Sequence, residues 1–152
     1  VIQRILQSND LHFVSQFTAK PHVFVSRSNP LAKKKLVLRK DLLEFPRLSY
    51  DQGINNSFYF SEELHSTDES PKSIVVSDRA TLFNLLIGLN GYTISSGILS
   101  SDLNGTDIVS IPLESDEEMD IGYIYTLQRP LSEIAQSYIE HLRKYIENYQ
   151  KK

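Results

Sequence analysis

The chain has no cysteine. That excludes disulfides and thiolate metal sites, and it fits a reducing compartment. Long apolar runs are missing too. Segments such as Leu85 to Leu89 fall far short of the ~20 residues that a membrane span needs. No basic segment leads into an apolar signal core at the start. A soluble, cytoplasmic protein with no membrane partner is therefore the expectation. Strong charge is also lacking. The net charge of -3 argues against this chain holding DNA or RNA by itself. The four histidines, His12, His22, His65 and His141, form neither an i, i+4 pair nor an H-E-x-x-H pattern. No metal and no cofactor is expected from them. G-x-S-x-G, P-loop and G-x-G-x-x-G patterns are absent, so hydrolase, NTPase and dinucleotide readings lack support. What is present is an ordinary globular composition, 40% hydrophobic and 23% charged, over a length suited to one domain.

The most informative stretch runs from Ile74 to Leu99. Ile74, Val75 and Val76 form a continuous apolar run, the pattern of a strand buried on both faces. Ser77 and Asp78 then supply oxygens that can cap a helix N-terminus. Leu82, Leu85, Leu86 and Leu89 follow at the spacing of one helical face. Gly91 is placed to end the helix as a left-handed C-cap residue. Tyr92 to Ile94 resume an extended pattern. A strand, a capped helix and a strand in about 25 residues make a βαβ unit. Open α/β sheets bind solutes outside the carboxyl ends of their strands, which puts a candidate ligand site at Ser77 and Asp78.

Elsewhere, Leu11, Phe13, Ser15 and Phe17 alternate as in a strand, and His22 to Ser26 form a second one. Asp41 to Glu44 read as a single helical turn ended by Pro46. Arg47 to Tyr50 read as a strand and Asp51 to Asn56 as a turn. Phe58 to Leu64 read as a short helix capped by Ser57. Ser100 to Asp107 read as a loop turning at Asn104-Gly105. Ile108 to Pro112 and Ile121 to Leu127 read as strands either side of the acidic loop Glu114 to Asp120. Pro130 suits the first turn of a long terminal helix. Its apolar face, Leu131, Ile134, Tyr138, Leu142, Tyr145 and Tyr149, widened by Ala135, Ile139 and Ile146, reads as core rather than as partner surface. Short strands alternating with helices make the class α/β.

Three motifs in order carry a family likeness. P-H-V-F-V-S-R-S-N-P-L-A at 21–32 resembles a strand and loop of LysR-type transcriptional regulators. V-S-D-R-A-T-L-F-N-L-L-I-G-L-N-G-Y-T-I-S-S-G-I-L resembles the strand, helix and return of their second effector-binding lobe. I-V-S-I-P-L, then I-G-Y-I-Y, then L-S-E-I-A-Q-S-Y-I is similar to the family's ending. Among subfamilies the chain looks closest to regulators of amino-acid and sulfur metabolism in Gram-positive cocci. The resemblance implies a type II periplasmic-binding-protein-like fold: two Rossmann-like lobes joined by two crossing strands, with the effector between them. On that template His22 to Ser26 and Gly122 to Tyr125 would be the crossing strands. Residues 27–121 would form one complete second lobe. Residues 1–26 and 122–152 would supply the crossing strands and remnants of the first lobe, with the terminal helix.

The family's winged helix-turn-helix has no counterpart in the sequence, so the chain resembles an N-terminally truncated member. The implied function is that of a non-enzymatic sensor that binds a small-molecule effector. DNA would be bound through the absent helix-turn-helix, and the protein would be a homodimer or tetramer. A second-lobe surface including Phe58 to Leu64 would pair with a neighbouring subunit. The alternatives are a solute-binding protein of a transporter and a small α/β enzyme.

The candidate effector-binding residues are Ser77, Asp78 and Thr81, at a helix N-terminus where unpaired N–H groups and the dipole attract a carboxylate. The same residues also suit plain capping by Asp78. Ser49, Tyr50, Asp51 and Gln52 end another strand on the same cleft, or form a hydrogen-bonded turn. Ser95, Ser96 and Gly97 line the return after the second strand, where Gly97 permits close backbone approach or simply a tight bend. An Asp carboxylate at the mouth favours an amino-acid-like zwitterion over a bare anion.

Overall fold

Nine residues of alternating character, Leu11–Ala19, form β1, and Lys20-Pro21 separates them from β2, His22–Ser26. The computed structural model describes residues 10–51, 70 and 72–150. The turn expected beyond Asp51, the Phe58 to Leu64 helix, Gln52 and His65 lie outside them. After β2 come two single-turn 3-10 helices, Pro30–Lys33 and Arg39–Leu42. The remaining elements are β3 (Arg47–Tyr50), β4 (Ser73–Val76), α1 (Arg79–Gly88), β5 (Tyr92–Ser95), α2 (Ser101–Asn104), β6 (Ile108–Pro112), β7 (Met119–Thr126) and α3 (Glu133–Gln150). They fall into two compact units, one of residues 19–119 and one of the residues on either side.

The larger unit is built on a five-stranded sheet in the order β4-β3-β5-β2-β6. β3 runs parallel to β4 and to β5, while β2 is antiparallel to both β5 and β6. The segment β4–α1–β5 is thus a βαβ unit, with β3 inserted between its two strands. Strand alternation divides the core into two faces. Phe24, Leu48, Leu82, Leu86 and Ile108 pack together with Ile74 and Val76. Val23, Val25, Leu31, Val37, Tyr92, Ile94 and Ile111 form the other cluster.

The strand buried on both faces is therefore β2, in which Val23, Phe24 and Val25 are at most 2% exposed. β4 departs from the expectation. Among the described residues it is the sheet's edge strand, and Val75 is 60% exposed. The end of α1 departs as well. The left-handed residue is Asn90, with φ of 54°, and Leu89 is the C-cap. Gly91 serves space instead: a Cβ there would stand 2.6 Å from Leu48 Cδ1 and 2.8 Å from the Pro46 carbonyl oxygen. The helical turn expected at Asp41 to Glu44 begins earlier, at Arg39. The Asp41 carboxylate accepts from the Leu38 N–H at 2.9 Å and pairs with Lys34 at 2.7 Å, so Asp41 belongs to the first turn. The Ser100 to Asp107 loop contains the short helix α2, followed by the left-handed Gly105.

In the smaller unit β1 and β7 form a two-stranded sheet. They approach closely at Gly122, where a Cβ would meet the Val14 carbonyl and the Phe13 ring. Gly122 to Tyr125 thus lies in a strand, but its ladder partner is β1. His22 to Ser26 lies inside the larger sheet, between β5 and β6, with apolar residues buried on both faces. The terminal helix corrects a further expectation. Ile134, Tyr138 and Tyr145 are 83%, 67% and 66% exposed. Its half-buried row is Ala135, Ile139, Leu142 and Ile146, which is only one side of the wide expected face. No helix among the described residues is long and apolar enough to cross a membrane.

Candidate functional site

Register places the parallel strand ends together. Leu48 pairs with Ile74 and Tyr50 with Val76, so β3 and β4 finish side by side. The Asp51 N–H donates to the Val76 carbonyl at 2.8 Å and carries the pairing one residue further. β3 and β5 align at Arg47 and Tyr92, and each runs on by the same three residues, to Tyr50 and Ser95. β2 enters the sheet at this same rim, with His22 opposite Ser95. The carboxyl rim of the sheet thus collects Val76, Tyr50 and Ser95, and the start of α1 follows directly on Val76.

Asp78 is the N-cap of α1. Its Oδ1 accepts from the Thr81 N–H at 2.8 Å, and its Oδ2 accepts from the Thr81 hydroxyl at 2.8 Å. The Ser77 hydroxyl donates to the same carboxylate at 3.3 Å. The Thr81 amide bond, then the Thr81 and Ser77 hydroxyls, hold the Asp78 carboxyl below the usual carboxylate range. Capping is therefore what Asp78 does here. Its charge occupies the positive helix end and takes one of the amides that an external carboxylate needs.

The candidates do not all reach the rim equally. Ser77, Asp78, Thr81 and Asp51 are exposed there. Ser95, Ser96 and Gly97 are half-buried at the exit of β5. Tyr50 ends its strand at the rim. Ser49 is 6% exposed within β3, on the opposite side of the pleat from Leu48, and is not brought to the surface of the rim. Gln52 lies outside the described residues. Gly97 has φ of +83°, and its carbonyl accepts from the Ser110 hydroxyl at 3.3 Å. It needs glycine both for that conformation and for space, because a Cβ would stand 2.6 Å from His22 Nδ1. His22 is the rim residue that sequence reasoning passed over. Only the antiparallel pairing of β2 with β5 reveals it, and no local pattern signals that pairing. Among the described residues, no group of three or more His, Cys, Asp or Glu is placed to hold a metal ion.

The family profile described as LysR substrate binding domain matches residues 1–147. No curated protein sequence matches the chain significantly. Solved structures do. HinK, a LysR family transcriptional regulator from Pseudomonas aeruginosa, is 13% identical with a TM-score of 0.67, over 91% of this chain and 49% of HinK. The BenM effector binding domain with its effector benzoate is 18% identical with a TM-score of 0.65, over 95% of this chain and 66% of that one. Full-length CbnR complexed with target DNA is 17% identical with a TM-score of 0.63, over 90% of this chain and 49% of CbnR. This chain thus spans about half the length of the two regulators HinK and CbnR. These likenesses give the fold as α/β of the type II periplasmic-binding-protein kind. With nearly its whole length matched by the profile, the chain belongs to the LysR substrate binding domain family.

Proposed function

We propose that this chain is the effector-sensing part of a LysR-type transcriptional regulator and not an enzyme. The observation that carries this reading is the register of Tyr50 against Val76, which sets two parallel strand ends beside the Asp78-capped start of α1. Solutes of open α/β sheets bind at such ends. The benzoate bound by the similar BenM domain and the target DNA bound by CbnR support the two halves of the proposal, ligand sensing and promoter control. On this reading a small metabolite at the rim favours one arrangement of the regulator over another. A coupling of about 1–3 kcal/mol is enough to switch DNA occupancy 5–150-fold. DNA contact is assigned to a helix-turn-helix outside these 152 residues, assembly to a homodimer or tetramer, and location to the cytoplasm. Residues 27–121 would act as the second lobe, and the flanking segments as crossing strands and first-lobe remnants.

The proposed effector is amino-acid-like. Asp78 stays ionised at the rim and disfavours a bare anion, whereas an ammonium group is attracted to it. The hydroxyls of Ser77, Ser95 and Ser96 and the backbone at Gly97 are the polar groups offered to the rest of such a ligand. Calorimetric titration with O-acetylserine, cysteine, methionine and benzoate tests this. Binding of an amino acid, weakened at least fivefold in the Ser77→Ala/Thr81→Ala double variant, is expected. Unchanged affinity in that variant would overturn the site assignment.

A further inference from the structure

We infer that His22 is a positioning residue of this rim: its ring is the wedge that sets the Ser95–Ser96–Gly97 turn. The inference deepens the proposed function and rests on that reading for its link to ligand binding. His22 sits opposite Ser95 in the antiparallel ladder of β2 and β5, and opposite Pro112 in that of β2 and β6. Its half-buried ring contacts Lys20, where Nδ1 lies 2.8 Å from the carbonyl oxygen. A carbonyl only accepts, so Nδ1 carries the hydrogen and donates. The bond to Lys20 fixes the ring's orientation.

Against this fixed ring lies Gly97. A Cβ on Gly97 would stand 2.6, 2.7 and 2.9 Å from Nδ1, Cγ and Cε1 of His22, closer than real Cβ atoms come. Gly97 is also held through its carbonyl, which accepts from the Ser110 hydroxyl of β6. Three neighbouring strands thus converge on one turn: β5 supplies it, β2 wedges it through His22, and β6 ties it through Ser110. The turn has φ of +83° at Gly97, so it does not relax into an ordinary extended exit while the wedge is in place. Ser95 and Ser96, the hydroxyls proposed for ligand contact, take their positions from this lock.

Nitrogen-15 NMR on the 152-residue chain tests the wedge without any ligand. At a pH where the ring is neutral, His22 Nδ1 is expected to show the protonated signature and Nε2 the unprotonated one. His22→Ala is expected to move the amide resonances of Ser95, Ser96 and Gly97. His22→Asn, whose side-chain amide can donate the same bond to Lys20, is expected to return them part-way. Gly97→Ala is expected to lower Tm more in the native background than in the His22→Ala background, because removing the ring frees the space a Cβ needs. Changes confined to residues 20–23, or Tm losses that simply add, would overturn the inference. Titration with O-acetylserine and benzoate separates it from the functional proposal. If either probe binds, His22→Ala is expected to weaken it several-fold, and unchanged affinity would contradict the positioning role. If neither binds the native chain, the effector reading fails for these probes, while the resonance and Tm results still decide the wedge.

Discussion

Gly91 offers a sharp discrimination between two reasons for a glycine. If it were the left-handed residue ending α1, its value would be conformational, and asparagine would replace it at little cost. The structure gives that conformation to Asn90 and leaves Gly91 buried against Leu48 and Pro46. A Cβ at 91 would need Leu48, 0% exposed, to retreat into a filled core. It would also press on the Pro46 carbonyl, which accepts from the Tyr92 N–H at 3.0 Å at the start of β5. Overpacking of this kind costs about 1–3 kcal/mol, and disturbing the hydrogen bond adds about 1 kcal/mol. The lower entropy of an unfolded alanine chain returns ~0.4–1 kcal/mol. The net loss for Gly91→Ala is about 1–3 kcal/mol, which at roughly 3 °C per kcal/mol lowers Tm by about 3–9 °C. Gly91→Asn is expected to cost at least as much, because its side chain is larger. Asn90→Gly is expected to be tolerated, since glycine accepts the positive φ and keeps the carbonyl that Asn29 Nδ2 reaches at 3.0 Å. Thermal melts followed by far-UV circular dichroism read all three. Melting of Gly91→Asn and Gly91→Ala at the native temperature would refute the reasoning.

Acid titration of stability probes the cap. Asp78 has its folded pKa lowered by bonds from Thr81 and Ser77, so its contribution is fully present above the ordinary carboxylate value and is lost as pH falls through the folded value. The stability difference between the native chain and Asp78→Asn is therefore expected to be largest near neutral pH and to shrink below about pH 4 in urea titrations; a pH-independent difference contradicts this. On α3, Ile134→Ser and Tyr138→Ser are expected to change folding stability by no more than ~0.5 kcal/mol, since these side chains are 83% and 67% exposed. A loss of about 2–5 kcal/mol on chemical denaturation would return them to the core.

Much of the larger unit was legible because its signals are local. Asp78 caps the helix it precedes, Leu82 and Leu86 point to one side, and Tyr92 to Ser95 resume as a strand, all within one short stretch. Sheet order was not legible. The insertion of β3 between β4 and β5 is a long-range choice, and it makes Ile74 to Val76 an edge despite an unbroken apolar run. The same limit hid His22, whose neighbour Gly97 follows a strand far along the chain. At α3 the apolar positions were visible, but a stripe wider than one face does not say which row turns inward. At Asn90-Gly91 both residues suit a left-handed turn, and only the pressure of Leu48 and Pro46 reserves glycine for the second. At the rim, Asp78 and Thr81 were readable as a pair at helical spacing. The burial of Ser49 depends on which side of the pleat faces the core.

The central claim is that ligand binds where β3, β4 and β5 end beside α1. Mapping amide resonance changes on addition of the tightest-binding amino acid or carboxylate tests it most directly. The account predicts changes centred on Tyr50, Asp51, Ser77 to Thr81 and Ser95 to Gly97. Saturable binding whose changes spare these residues and gather on another face, such as the exposed side of α3, would contradict it.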